Sequence, residues 1–140
     1  MNNEEAAALA FAGIGLVMML IGLVIAILFL LTLMKTLTAV RPEHRQMEPM
    51  MVWLNLIPLF NLVWIFFTVI KLADSVVAEA AQRSLDVGDG GKALGIAYGA
   101  LMISSIIPFL GMLTGIAGLV VFIIYWIKVA GFKNQLTQPS

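Results

Sequence analysis

The sequence predicts an all-α integral membrane protein, and three gaps in its charge predict it. No Asp, Glu, Lys or Arg falls between Ala6 and Met34, between Pro49 and Ile70, or between Ala93 and Ile127. A hydrocarbon interior solvates neither a charge nor an unpaired peptide group, so long uncharged apolar runs cross it as helices. Composition agrees. Only 11% of the 140 residues are charged, whereas a soluble domain carries about 25%. The polar stretches are too short to bury cores of their own, so residues 1–140 are read as a single membrane domain.

The first helix is expected over residues 5–37. The opening Met1-Asn-Asn-Glu-Glu5 lacks the basic flank of a signal peptide, and the run behind it is too long for one, so a retained helix is expected. Roughly 20 residues cross a hydrocarbon core of ~30 Å. A longer run must tilt, or project its Ala-rich start into the headgroups. Gly13, Gly15 and Gly22 give it a small-residue face that lets another helix approach closely.

The loop from Lys35 to Pro49 sets Lys35, Arg41, His44 and Arg45 against Glu43 and Glu48. Pro42 and Pro49 break any helix there. The basic bias places this loop in the cytoplasm and the N-terminus outside.

The second block, residues 50–83, has two readings. Its apolar half contains Ile57-Pro58, and Ile107-Pro108 repeats that pair in the third block. Downstream, Ile70-Lys71-Leu-Ala73 is echoed by Ile127-Lys128-Val-Ala130. As a hairpin, a short arm from Met50 to Ile57 turns at Pro58 to Asn61 and returns from Leu62. Eight helical residues rise only ~12 Å, so such an arm is re-entrant. The chain then has three full transmembrane helices plus a Pro-broken re-entrant hairpin. As one kinked crossing, the block gives four transmembrane helices. From Leu72 to Arg83 a polar helix continues into water, with Lys71–Asp74 and Glu79–Arg83 spaced to pair. Asp86 to Lys92 reads as a turn. The third block exceeds one helix and divides at Pro108 and Gly111 into helices over 92–107 and 112–132. Gly95, Gly99, Gly111 and Gly115 form small-xxx-small pairs for helix packing.

The densest candidate motif is Trp53, Asn55, Pro58, Asn61 and Trp64. Pro58 frees a carbonyl near Leu54, and an amide in hydrocarbon must find a partner. Asn55 and Asn61 can satisfy the broken turn, with Asn61 capping a helix that starts at Leu62. Alternatively they line a broken-helix binding site. The two tryptophans face each other in the hairpin and share a face in a single helix.

Other chemistry is poorly supplied. His44, the sole histidine, has no second ligand nearby and is expected to be solvated. Asp86 to Lys92 lacks the ligand spacing of a calcium loop and the ending of a phosphate loop. The chain has no cysteine, and no titratable group lies deep in a span, which argues against proton-coupled carriers. No nucleophile, base or metal set is visible, so no enzyme activity, catalytic residue, metal or cofactor is expected. Eight basic residues balance eight acidic ones, which argues against a nucleic-acid surface.

The stretch Trp53-Leu-Asn-Leu-Ile-Pro-Leu-Phe-Asn-Leu-Val-Trp-Ile-Phe66, with Ser75, the loop Asp86 to Gly91, Ile107-Pro108 and the basic exit Lys128 to Lys133, resembles a pattern in small bacterial multi-pass membrane proteins of unknown function. The resemblance covers roughly Pro42 to Leu136. It implies a bacterial inner (cytoplasmic) membrane and transfers no activity.

Two functions follow as expectations. One is a structural or accessory subunit that packs by small-residue faces into a homo-oligomer or onto other membrane subunits. The other is a homo-oligomeric channel or small-solute pathway lined by Asn55, Asn61, Ser104 and Ser105. A membrane enzyme would need a cofactor or partner to supply reactive groups. Membrane lipids are partners in every case, and a Trp53/Trp64 notch could hold one.

Overall fold

The computed structural model describes residues 1–104 and 111–138, with side chains from 114 onward in the last helix. Helix α1 spans Asn3–Ala39, α2 spans Asn61–Arg83, α3 spans Lys92–Ser104 and α4 spans Gly111–Thr137. Two 3-10 segments, Pro42–His44 and Pro49–Leu56, lie between α1 and α2. No strand occurs among the described residues.

Helix α1 starts at a capping box. Asn2 Oδ1 accepts from the Glu5 amide at 2.8 Å, and Glu5 Oε2 accepts from the Asn2 amide at 3.2 Å, which satisfies two end donors reciprocally. At 37 residues the helix is ~55 Å long. Its burial is confined to the second half, at Phe29, Leu30, Leu33, Thr36 and Leu37. Every residue from Met1 to Ile25 is exposed. Pro42 forbids continuation, and Arg45 closes the end. Its Nε donates to the carbonyls of Leu37 and Val40, both at 2.8 Å, and Nη2 donates to that of Thr38 at 2.9 Å. A cation at a helix C-terminus also complements the helix dipole.

The second block folds back on itself. Its 3-10 arm ends at Leu56, with the Ile57 amide on the Leu54 carbonyl at 3.1 Å. Pro58 cannot donate, and Leu59 takes the left-handed φ of 65°, which reverses the chain. The Asn61 amide then bonds to the Ile57 carbonyl at 3.0 Å, and α2 begins.

Helix α2 is the strongly one-sided element. Ile65, Thr68, Val69, Leu72, Ala73, Ser75, Val76, Glu79 and Ala80 are buried, the three- and four-residue spacing of a single helical stripe. It ends at Ser84, left-handed at φ 55°, with the Ser84 and Leu85 amides both on the Ala80 carbonyl, as left-handed C-caps do.

The turn into α3 needs glycine at one point above all. Gly90 has φ +70°, and a Cβ there would lie 2.7 Å from the Ala73 carbonyl oxygen. Asp89 organises the same turn. Its carboxylate accepts the Ala93 amide at 3.0 Å and the Gly91 amide at 2.9 Å. The Ala93 bond holds the acid below its ordinary range, slight desolvation opposes it, and the Gly91 bond adds to the lowering. A depressed folded-state pKa stabilises above the unfolded value, near 3.9, and loses that contribution as pH falls through the folded value. An Asp89→Asn variant should therefore be less stable than the parent at pH 6, with the gap in unfolding midpoint closing in acid. A gap that persists unchanged well below pH 3 would show that the carboxylate charge is not what holds the turn.

Helices α2, α3 and α4 pack through close approaches at glycine. A Cβ at Gly95 would lie 2.6 Å from Val69 Cβ, and one at Gly99 would lie 2.8 Å from the Phe66 ring. Helix α4 covers the buried half of α1 with Phe122, Tyr125 and Trp126 around Phe29. The Trp126 indole donates to Thr32 Oγ1 at 3.0 Å.

Three helices are long and apolar enough to cross a membrane: α1, α2 and residues Thr114–Thr137 of α4. The hairpin reading expected full spans at 5–37, 92–107 and 112–132, and the four-span reading added one within 50–83. Helix α2 qualifies because its polar extension continues the same helix without a break. Helix α3, at 13 residues, rises only ~20 Å. Helix α4 runs five residues further than expected. The anticipated turn at Ile107-Pro108 and Ser105 lie outside the described residues.

Candidate functional site

Two polar constellations stand out in this apolar fold, and the predicted motif makes one of them. Asn55, at the end of the 3-10 arm, donates from Nδ2 to the Val52 carbonyl and to Thr68 Oγ1, both at 2.9 Å. Thr68 in turn donates to the Trp64 carbonyl at 2.9 Å. The amide thus ties the arm to α2, and its Oδ1 is buried without a partner. Asn61 is not the cap expected of it. It is the first residue of α2, and the position before it, Phe60, offers no side-chain cap. With the chain reversing at Leu59, the helix starts one residue earlier than expected, and Asn61 lines a cavity. That cavity holds about 240 Å³ and lies between α1, the arm, α2 and α3, with Asn55, Asn61, Gly22, Phe29, Tyr98 and Met102 among its lining.

The tryptophans part company. Trp53 turns to α1, its indole donating to Met34 Sδ at 3.2 Å. Trp64 donates to the Met51 carbonyl at 2.9 Å and stacks between Phe60 and Phe67. No notch forms between them, because each indole N–H must find an acceptor in its own direction.

The glycines divide in the same way. Gly95 and Gly99 are consumed within the chain, against Val69 and Phe66. Gly115, with Gly13, Gly15 and Gly22, has nothing within 4 Å of where a Cβ would stand. Gly111 opens α4, and its surroundings are not described. Ser104 donates to the carbonyl of Leu101 in its own helix at 3.0 Å.

The second constellation is charged, and sequence reasoning missed it. Glu79 sits on the buried stripe of α2 with its side chain 0% exposed. Arg41 Nε donates to Oε1 at 3.0 Å, the Arg41 amide donates to Oε2 at 3.3 Å, and Arg83 Nε donates to Oε1 at 3.1 Å. His44 Nδ1 lies 2.5 Å from Oε2. Arg41 continues to Gln82 Oε1 at 2.6 Å, and Arg83 Nη1 donates to the Leu136 carbonyl. One carboxylate therefore clasps the first loop, α2 and the end of α4. Nearby, the Gln46 amide donates to Ser75 Oγ at 2.8 Å, stitching the same loop to α2.

Two expectations are corrected here. His44 is not solvated; its side chain is 14% exposed, because a buried carboxylate draws every donor within reach. Asp74 does not pair with Lys71 but with Lys92 of α3 at 2.7 Å, while the Lys71 ammonium sits 5.7 Å from the centre of the Phe67 ring. The signal that could have found the clasp is the register of α2. Glu79 falls three residues after Val76 and seven after Leu72, on the apolar stripe rather than opposite it.

Among the described residues no group of three or more His, Cys, Asp or Glu side chains could hold a metal ion. The clasp is saturated by its own cations, so it binds the fold together rather than a ligand. The apolar helices, the exposed hydrophobic exterior and the charges gathered outside the uncharged runs define an all-α membrane protein. No family model matches the chain, and no curated protein or solved structure matches it.

Proposed function

We propose that this chain is a structural or accessory subunit of the bacterial inner membrane, and that the first half of α1 docks it onto another membrane helix. The observation that carries the reading is the division within α1. Residues 29 to 37 are built into the bundle, whereas Met1 to Ile25 touch nothing that buries them. That free half carries Gly13, Gly15 and Gly22, each open to a close neighbour. In a bilayer apolar exposure alone is unremarkable, but small residues are what let two helix backbones meet. Helix α3, by contrast, has spent Gly95 and Gly99 on packing within the chain.

The orientation proposed is N-terminus outside and first loop in the cytoplasm. It is supported by the ties Arg41–Glu79, Asp74–Lys92 and Arg83–Leu136. They gather charged groups of the first loop, α2 and α3, together with the end of α4, on one side, which fits a positive-inside bias. A channel lined by amides and serines draws less support, because Asn55 and Ser104 direct their donors into the chain itself.

Native mass determination in gentle detergent tests the reading. A self-assembly or a fixed-ratio complex is expected, and Gly13→Leu with Gly15→Leu should release the monomer without lowering the unfolding midpoint. A monomeric parent that co-purifies with nothing would overturn it.

A further inference from the structure

The cavity beside the Pro58 turn carries unmet hydrogen-bonding capacity at the depth of the hydrocarbon. Asn61 and Tyr98 both line it, and neither side chain has a hydrogen bond among the described residues. Asn55 lines it as well, with its amide N–H₂ already bonded to the Val52 carbonyl and Thr68 Oγ1. The surrounding wall is apolar and includes Gly22, Phe29 and Met102. All these residues lie within or beside the uncharged runs, where bulk water does not reach and an unpaired amide costs free energy.

We infer that this cavity binds the head of a neutral lipid bearing a free hydroxyl, such as a diacylglycerol or a long-chain alcohol. The lining contains no charged side chain, so a phosphate or ammonium head would enter unpaired. The unmet groups are of both kinds. The Asn61 amide donates and accepts, and so does the Tyr98 hydroxyl. A hydroxyl answers donors and acceptors together, whereas a ketone or ester leaves the acceptors unmet. At about 240 Å³ the cavity is below the ~300 Å³ at which sites for whole small ligands begin. It holds the head and the first carbons, and the tail leaves past Leu56 and Ile25 into the bilayer. This inference is independent of the docking role of α1.

The test uses the whole chain in phosphatidylcholine nanodiscs, offered either dioleoylglycerol or its acetylated counterpart, in which the hydroxyl is esterified. Bound lipid is read by native mass spectrometry. The expected result is ~10-fold greater retention of the free alcohol, the upper range for one net hydrogen bond. Tyr98→Phe keeps the ring against Phe29 and Phe122 and should remove most of that preference, as should Asn61→Leu. Equal retention of the two lipids would overturn the inference. So would a preference that both variants leave unchanged, which would place the lipid elsewhere. Retention of neither lipid would mean that the cavity holds water only, and would overturn it too.

Discussion

Replacing Glu79 with alanine should lower the unfolding free energy by about 3 kcal/mol, the low end of the cost of removing one partner from a buried ion pair. The low end applies because Arg41 is 45% exposed and can turn to water once released, which softens the loss. Arg83 and His44 are more enclosed, at 20% and 14%, and carry most of the penalty. Glu79→Gln keeps the shape and one acceptor oxygen but turns an N–H₂ group toward the cations, so it should fall between alanine and the parent. Arg83→Ala should cost less than Glu79→Ala, since Arg41 and His44 continue to satisfy the carboxylate. Reversible unfolding in mixed micelles gives the order. If Glu79→Ala matched the parent, the clasp would be a surface pair of no consequence.

The second large effect is expected at Gly95. A Cβ there stands 2.6 Å from Val69 Cβ, 2.8 Å from Val69 Cγ1 and 3.0 Å from Tyr125 Cε1. Val69 is β-branched and fully buried, so it has no rotamer to retreat into. Gly95→Val should cost about 3 kcal/mol, the upper range for overpacking. Gly99 is more forgiving, because the obstacle there is the rim of the Phe66 ring, the far end of a side chain. Gly115→Ala should leave stability within about 0.5 kcal/mol of the parent, because open space surrounds it. The same unfolding assay separates the three. A tolerated Gly95→Val would mean that α2 and α3 do not approach as closely as Val69 and Gly95 indicate.

These two sites also mark how far the sequence could be read. The uncharged runs announced the helices because charge burial in hydrocarbon is prohibitive, and that constraint acts on each segment separately. Pro58 announced a break for an equally local reason, the missing N–H. Gly95 and Gly99 could be picked as packing glycines, but their partners, Val69 and Phe66, could not, since helix pairing is a property of three dimensions. The charges misled most. Lys71 and Asp74 are neighbours on a helix, yet Asp74 found Lys92 across the turn. Glu79 and Arg83 satisfied the local spacing rule, and the pair exists. Their apparent self-sufficiency hid the more important fact that Glu79 faces inward, toward Arg41 and His44 more than thirty residues earlier. Spacing rules rank the nearest partner in sequence, while desolvation selects the partner that can reach a buried oxygen.

The placement of α4 has a consequence for the order in which the chain matures. Trp126 bonds to Thr32 across 94 positions, and Arg83 reaches Leu136 across 53. Contacts of such long sequence separation form late, because loop closure must precede them. Phe29 meets Tyr98 of α3 as well as the α4 rings, whereas the Thr32–Trp126 bond needs α4 itself. The Thr32 hydroxyl itself donates to the carbonyl of Leu28, 3.0 Å away in its own helix. This helix-internal bond keeps the Thr32 proton satisfied without α4, so losing the Trp126 contact would cost α1 an acceptor's partner but leave it no unpaired donor.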